Sequence, residues 1–322
     1  MRRLCGLKPY FELPPGLVLR CREVHFWCLF PEDVIDSSLL KVYESLLSCQ
    51  ERKEVYKAKT EKLQKERLLA RTLVRTTLAR YAGGCIHPSH LEFTKNNFGK
   101  PELLWPKYIV EKHGRKFPAL CFNLSHTDSI IACAVTNNLM VGVDVEESKR
   151  VTRKDLMALA RKKFSLKEAS WLGSFQDQER QRQQFLKLWT LKVSYVKALG
   201  RGISGSPLKD FTVHLKESFW ARKMIEDATA LSCLSEAYTI QLELSNAAEV
   251  VLQNVGLSHD ALHFLLFQPT PLQYASLCVQ HPNVKADLHL STHEDWKFYF
   301  WKTLPLAWDE PLKGATALAI TG

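Results

Sequence analysis

One local pattern occurs twice in this chain, and it constrains the fold more than any other feature. Ser48-Cys49-Gln50-Glu51 places Ser and Glu three residues apart. In that arrangement an N-cap serine and an N3 glutamate satisfy each other's orphan amides at a helix start. Ser165-Leu166-Lys167-Glu168 repeats it. A long helical stretch follows each, the first through Leu63–Tyr81 with Leu68, Leu69, Leu73 and Leu78, the second at about residues 183–199. Glycine closes both, Gly83-Gly84 after the first and Gly200 with Gly202 after the second. Thr72-Leu73 lies 24 residues after Ser48, and Thr190-Leu191 lies 25 after Ser165. Aligned without gaps, residues 71–81 and 189–199 share little beyond that Thr-Leu pair. The repeat is one of plan, and it implies two similar α+β halves.

Strand-like runs surround the helices. Arg22–Phe30 and Ile130–Val135 are rich in β-formers, and a short strand at Leu91–Phe93 leads into a turn at Asn96–Pro101. In the last 120 residues the runs Tyr238–Leu244, Trp296–Trp301 and Ala315–Ile320 alternate with polar turns. At 322 residues the chain is long enough for two domains. With no low-complexity linker between them, lobes at residues 1–138 and 139–322 should pack closely.

Charge narrows the choice of partner. The formal net charge is +10, unevenly placed: residues 1–138 carry +8, residues 139–148 carry −3, residues 149–201 carry +10 and residues 202–322 carry −5. Nucleic acid is the simplest partner of a basic surface, but a polyphosphate ligand or an acidic protein fits the charge equally well. The acidic cluster Asp144, Glu146 and Glu147 between two basic segments favours a metal-phosphate site over a continuous nucleic-acid track. Aromatic residues that would stack on bases are not interleaved with the basic run at 149–163, where only Phe164 is near. No run approaches the roughly 18 apolar residues of a membrane span.

Nine cysteines occur at irregular spacing without a CxxC pair, which argues against a disulfide framework and against zinc. Several sit in apolar runs, as buried thiols do, and a reducing compartment follows. Arg2, Arg3, Arg20 and Arg22 suggest an organellar presequence, while Glu12 and the strand at 22–30 leave little room for one. The expected location is the cytoplasm, with the mitochondrion as the alternative.

Four segments carry chemistry. In Val141-Gly142-Val143-Asp144-Val145-Glu146 a strand would put the valines on one face and Gly142, Asp144 and Glu146 on the other. Two carboxylates two residues apart, with a Gly leaving space beside them, suit a hard cation such as Mg²⁺. A solvated edge strand is the alternative. Phe122-Asn123-Leu124-Ser125-His126 offers Ser and His side by side, both able to donate to a phosphate oxygen. A nucleophilic pair is possible, although adjacent strand residues diverge, and Ser258-His259 shows how cheaply the dipeptide arises. Asn97-Phe98-Gly99-Lys100-Pro101 is a tight turn with a cation at its tip; an ordinary surface turn has the same composition. His87 and His90 read as a loop, because Pro88 breaks the helix a metal pair would need.

The helix at 185–200 is the most informative. At roughly 100° per residue, Leu188, Leu191, Tyr195, Ala198 and Leu199 form its core stripe, with Lys192 close to it and Lys197 opposite. Val193 lies off the stripe, one turn before Lys197. It has no evident packing reason there, unless it joins Trp189 and Val196 in a second small apolar patch.

Together these segments resemble the Sfp-type 4′-phosphopantetheinyl transferases. The family's (F/W)NxSH segment, G(V/I)D(V/I)E strand and WxxKE(A/S)xxKAxG helix stand here as Phe122–His126, Gly142–Glu146 and Trp189–Gly200. The turn at 98–101, the Arg71–Arg75 helix and Lys163-Phe164-Ser165 with Glu168 look like the family as well. The resemblance covers roughly residues 22–215. In length and two-lobe plan the chain is most similar to the larger eukaryotic members, including the aminoadipate-semialdehyde dehydrogenase type. It implies an α+β fold of two pseudo-twofold-related lobes, each an antiparallel sheet packed against a long helix.

The resemblance also implies a function. Such an enzyme transfers the phosphopantetheine arm of coenzyme A to a serine of an apo acyl or peptidyl carrier protein and releases 3′,5′-ADP, acting as a monomer with Mg²⁺. Asp144 and Glu146 would bind the metal. Lys100, Asn123, Ser125, His126, Lys192 and Lys197 would contact coenzyme A, with Arg71 and Arg75 as weaker candidates. An acidic carrier protein would suit the basic segment 149–201. Neither nucleic acid nor a membrane is an expected partner. Catalysis would fall to Lys197, Glu146 and the position of Val193, where the family has a Glu that binds metal and is the usual candidate for deprotonating the serine. Valine can do neither. The expectation is therefore a transferase with weakened Mg²⁺ binding, in which Glu146, Glu147 or a metal-bound water serves as base. The alternative is an impaired paralogue that binds coenzyme A or a carrier protein without turnover.

Overall fold

Both expected capping boxes form. Ser48 Oγ accepts from the Glu51 amide while the Glu51 carboxylate accepts from the Ser48 amide, opening α2 (Cys49–Tyr56) after a short α1 (Ser37–Ser45). Ser165 and Glu168 do the same for α5 (Leu166–Gly173), which follows α4 (Leu156–Lys163). Each box opens a helix of only eight residues. The long helices restart at fresh caps, Thr60 for α3 (Glu61–Arg80) and Asp177 for α6 (Gln178–Leu199). Gly200, at φ 66°, closes α6 in the left-handed conformation that a glycine adopts without penalty. The computed structural model describes residues 17–107, 110–111, 117–150, 155–202, 206–253, 262–280 and 296–321. Residues 1–16, with Arg2, Arg3 and Glu12, and the Ser258-His259 dipeptide lie outside the described residues.

A second device recurs in both halves. Each capping-box glutamate also accepts from a buried cation on the following long helix. Arg75 Nε lies 2.7 Å from Glu51, and Lys192 Nζ lies 2.6 and 2.8 Å from the two oxygens of Glu168. Arg75 sits over the Phe93 ring and Lys192 over the Phe211 ring.

The strands form two main sheets. The first contains β1 (Glu23–Leu29), β4 (Leu120–His126), β5 (Ile131–Asn137), β11 (Lys297–Leu304) and β12 (Trp308–Pro311), in the order β12-β11-β1-β5-β4. The second contains β6 (Val141–Glu147), β7 (Phe211–Glu217), β8 (Ser232–Leu244), β9 (Leu262–Gln268), β10 (Gln273–Gln280) and β13 (Thr316–Thr321), in the order β6-β10-β9-β13-β8-β7. A hairpin of β2 (Glu92–Lys95) and β3 (Pro101–Leu104) carries the 96–100 turn. The expected sheets were antiparallel; both are mixed. β1 pairs parallel with β11, and β13 pairs parallel with β8. A parallel pair needs a long crossover, and these strands are far apart in sequence, so no hairpin signal foretold them. The first sheet thus draws strands from both ends of the chain.

Alternation along the strands sorts the core into layers. Trp27, Leu29, Ile131, Cys133 and Val135 face α1–α3 in one cluster. Phe26, Cys28, Ala132 and Ala134 face Val141, Val143, Leu265 and Phe267 between the two sheets. Phe264, Leu266 and Cys278 face α6 in a third. The order is helices, sheet, sheet, helices. Cys28, Cys133 and Cys278 are buried free thiols, as expected of cysteines in apolar runs. No helix among the described residues is long and apolar enough to cross a membrane.

Candidate active site

The site forms where the edges of the two sheets meet. β4 ends the first sheet and β6 begins the second, so each presents one edge without a strand partner. Side chains of β4 satisfy β6 at every second residue. The Val143 amide donates to Asn123 Oδ1 at 2.9 Å, the Val145 amide donates to Ser125 Oγ at 3.2 Å, and Thr127 Oγ1 donates to the Glu147 carboxylate. The two-residue period of a strand is the physical content of the N-x-S spacing.

The opposite set on β6 faces α6. Gly142 sits where a Cβ would come 2.0 Å from the Ser194 carbonyl oxygen and 2.4 Å from the Ala198 amide. The space expected beside the carboxylates for a cation is therefore filled by helix backbone at this residue. That close approach brings Lys197 to Asp144. Lys197 Nζ lies 2.8 Å from Asp144 Oδ1 and 2.8 Å from Ser125 Oγ, and Ser125 Oγ donates to the same Asp144 oxygen at 3.1 Å. Asp144 is 4% exposed. Burial pushes its carboxyl up from the usual range, against the opposing pull of Lys197 and Ser125. Its second oxygen, Oδ2, is buried without a hydrogen-bond partner among the described residues. Glu146 is likewise raised, first by burial and then by the Asp144 charge. Arg150 Nη1 grips both Glu146 oxygens at 2.6 Å.

These groups line a pocket of about 500 Å³, with Ser125, His126, Asp144, Glu146, Glu147 and Lys197 on its wall. His126 is exposed at the end of β4. Ser125 and His126 therefore differ: the serine is inward and fully engaged, the histidine outward. Other candidates lie elsewhere. Lys100 Nζ donates to the Val141, Lys197 and Ala198 carbonyls at 2.9–3.1 Å, capping the end of α6, and burial lowers it to about 8. Lys192 is 0% exposed in its pair with Glu168, where burial outweighs the carboxylate and lowers it to about 8. Arg75 is buried against Glu51 and the Pro88 and Leu91 carbonyls, and half-buried Arg71 reaches the Arg67 carbonyl. None of Lys100, Lys192, Arg71, Arg75 and Asn123 is on the pocket wall.

Val193 is buried in the third apolar cluster with Val196, and Trp189 packs against it. The alternative offered by the helical wheel, that Val193 packs with Trp189 and Val196, is therefore what forms. No group of three His, Cys, Asp or Glu side chains placed to hold a metal occurs among the described residues. Asp144 and Glu146 stand as a pair. The orphaned, buried Oδ2 of Asp144 fits a hard cation, since Mg²⁺ is held by one or two carboxylates while phosphate oxygens and water complete its shell.

Residues 140–245, which span β6 through β8, match the family model described as the 4′-phosphopantetheinyl transferase superfamily. The chain is 31% identical over 193 residues to the 4′-phosphopantetheinyl transferase HetI of Nostoc, covering 59% of this chain and 74% of that one. The chain belongs to the 4′-phosphopantetheinyl transferase superfamily. It is also 24% identical over 228 residues to Sfp of Bacillus subtilis, covering 71% of this chain and 80% of that one. Similarity to the human L-aminoadipate-semialdehyde dehydrogenase-phosphopantetheinyl transferase is 28% over 118 residues, 36% of each chain.

Membership in the phosphopantetheinyl transferase superfamily does not by itself point to several residues of this site. Thr127 and Ser129 escaped the sequence reading, although Thr127 continues the every-second-residue series begun by Asn123 and Ser125. Arg150 also escaped it, although its partner Glu146 lies only four residues away, and so did Gln273, whose partner Ser129 lies across the sheet with no local pattern to announce it.

Proposed function

We propose that the protein transfers the 4′-phosphopantetheine arm of coenzyme A to a serine hydroxyl of an apo carrier protein, with release of 3′,5′-ADP. The observation that carries the reading is the cluster of Lys197, Ser125 and Asp144, with Asp144 Oδ2 turned to no protein donor on the wall of an open pocket. A diphosphate ester needs cationic and hydroxyl donors beside a hard-cation site, and this wall supplies them.

The carrier serine oxygen bonds to the phosphorus that bears the pantetheine arm. The bond from that phosphorus to the bridging oxygen breaks, and the bridging oxygen leaves with the 5′-phosphate of 3′,5′-ADP. Lys197 and His126 donate to the phosphate oxygens as charge builds on them. Glu146, raised by burial and by Asp144, takes the serine proton. Asp144 and Glu146 would hold the Mg²⁺ expected of the family, which would neutralise diphosphate charge. Ser125 holds Lys197 and Asp144 in register. Lys100, Lys192, Arg75 and Asn123 build the frame in this reading. The two Glu–cation devices support two related lobes, divided near residues 138 and 139.

Val193 favours a second reading, a coenzyme A or carrier-protein binder with impaired turnover, because an apolar side chain stands one turn before Lys197. Loading of a panel of apo carrier proteins, scored by mass and by 3′,5′-ADP release, separates the two. Coenzyme A binding without release selects the binder. Neither binding nor release sinks both.

A further inference from the structure

We propose that Glu147 is a positioning residue whose hydrogen bonds to the β4–β5 turn set the direction of His126 and Glu146 in the pocket; the proposal rests on the transferase reading. Glu147 Oε1 accepts from three donors on that turn: Thr127 Oγ1, Ser129 Oγ at 2.6 Å and the Ser129 amide at 3.3 Å. Gln273, 1% exposed, donates to Ser129 Oγ at 2.5 Å and accepts from Thr270 Oγ1 at 2.6 Å. The Thr127 amide closes the turn on the Ile130 carbonyl at 2.8 Å. The Glu147 carboxylate at the end of β6 thus binds the β4–β5 turn, and Gln273 at the start of β10 braces that turn through Ser129.

Thr127 and Glu147 are fastened to each other, and each stands beside a pocket group, His126 and Glu146 respectively. All four line the pocket, so the Thr127–Glu147 link holds the two strand ends at a fixed separation across its wall. Asn123 and Ser125 make the two earlier links of the same series to Val143 and Val145, but those are buried and reach backbone. The Glu147 link is the last one, made by side chains alone and half-buried at the pocket mouth. The ladders hold His126 against Ile131 and Glu146 against Tyr274 within their own sheets, and the Glu147 link ties these two strand ends to each other.

Thr127→Val, Glu147→Ala, their double variant and Thr127→Ser test the proposal in the full chain. Partners that orient reacting groups cost about 10–100-fold when removed. Each single variant is expected to lower kcat about tenfold or more, with the KM for coenzyme A changed far less, because His126 and Glu146 act as charge builds and as the proton leaves. The double variant should be no worse than either single, and Thr127→Ser should restore the wild-type value. Amide exchange in segment 126–131 should quicken in Thr127→Val while the rest of the chain is unchanged. Unchanged exchange there overturns the link, and quickened exchange with unchanged kcat overturns its role. A wild type that neither binds coenzyme A nor loads any carrier removes the transferase reading itself, while the exchange comparison still decides the link.

Discussion

Gly142 and Ser194 stand closer than any residue with a side chain would permit: a Cβ on Gly142 would lie 2.0 Å from the Ser194 carbonyl oxygen. The atom met is helix backbone, so relief requires α6 to move off β6. Overpacking of a filled interior typically costs about 1–3 kcal/mol, occasionally more. Gly142→Ala should therefore lower stability by about that amount in urea unfolding. It should also draw Lys197 away from Asp144 and cut carrier loading at least tenfold even where the variant is fully folded. Activity that survives intact would mean the helix approach does not set the Lys197–Asp144 contact.

Val193→Glu places a carboxylate one turn before Lys197, in a position now 9% exposed within an apolar cluster. Without metal the new charge is buried and unpaired, and unfolding should be easier by about 1–3 kcal/mol. Mg²⁺ should reverse that loss, raising the melting temperature of Val193→Glu by several degrees more than that of wild type. Loading should rise about tenfold or more if a carboxylate is the missing element. A fully active wild type, with no gain in the variant and no added Mg²⁺ effect, would remove the idea that the site is weakened.

Local signals were legible because they are made within a few residues. Ser48 with Glu51 and Ser165 with Glu168 announced their boxes, and Gly200 announced the end of α6. The valine alternation in 141–145 announced a strand with both carboxylates on one side. The helical wheel set Lys192 near the core stripe, which agrees with its full burial, whereas the family pattern pointed it toward coenzyme A. Long-range pairing was not legible. Nothing near Gln273 indicates Ser129 as its partner, and nothing near Val24 indicates that it will lie beside Phe298 in a parallel ladder. The packing around Val193 also needed tertiary neighbours, since a wheel shows one helix and not what covers it.

Lys192 and Glu168 offer a direct test of frame against contact. The ion pair is fully enclosed, so removing one partner strands the other as a buried charge, which typically costs about 3–5 kcal/mol. Lys192→Met and Glu168→Leu should each be destabilised by about that much, and the double variant should recover part of the loss. The KM for coenzyme A should stay within about twofold of wild type in the double variant. A tenfold rise there, with stability recovered, would return Lys192 to the role of phosphate contact. Glu51 and Arg75 should behave alike on the stability measurement.

Lys100 should leave a signature in the alkaline range. Burial lowers its folded pKa to about 8, while the unfolded chain holds the proton to about 10.4. Between those values the unfolded state binds more protons than the native state, so the Lys100 contribution to stability grows as pH rises through the window. It is lost as pH falls back to about 8. Lys100→Met deletes this titration and also leaves the Val141, Lys197 and Ala198 carbonyls without their donor. The variant should be less stable by about 1–3 kcal/mol at pH 7. Its unfolding free energy, followed in urea from pH 7.5 to 10.5, should lack the upward Lys100 component seen in the wild-type minus variant difference. A difference that stays flat across that range would show that Lys100 keeps an ordinary pKa and is solvated despite its three carbonyl partners.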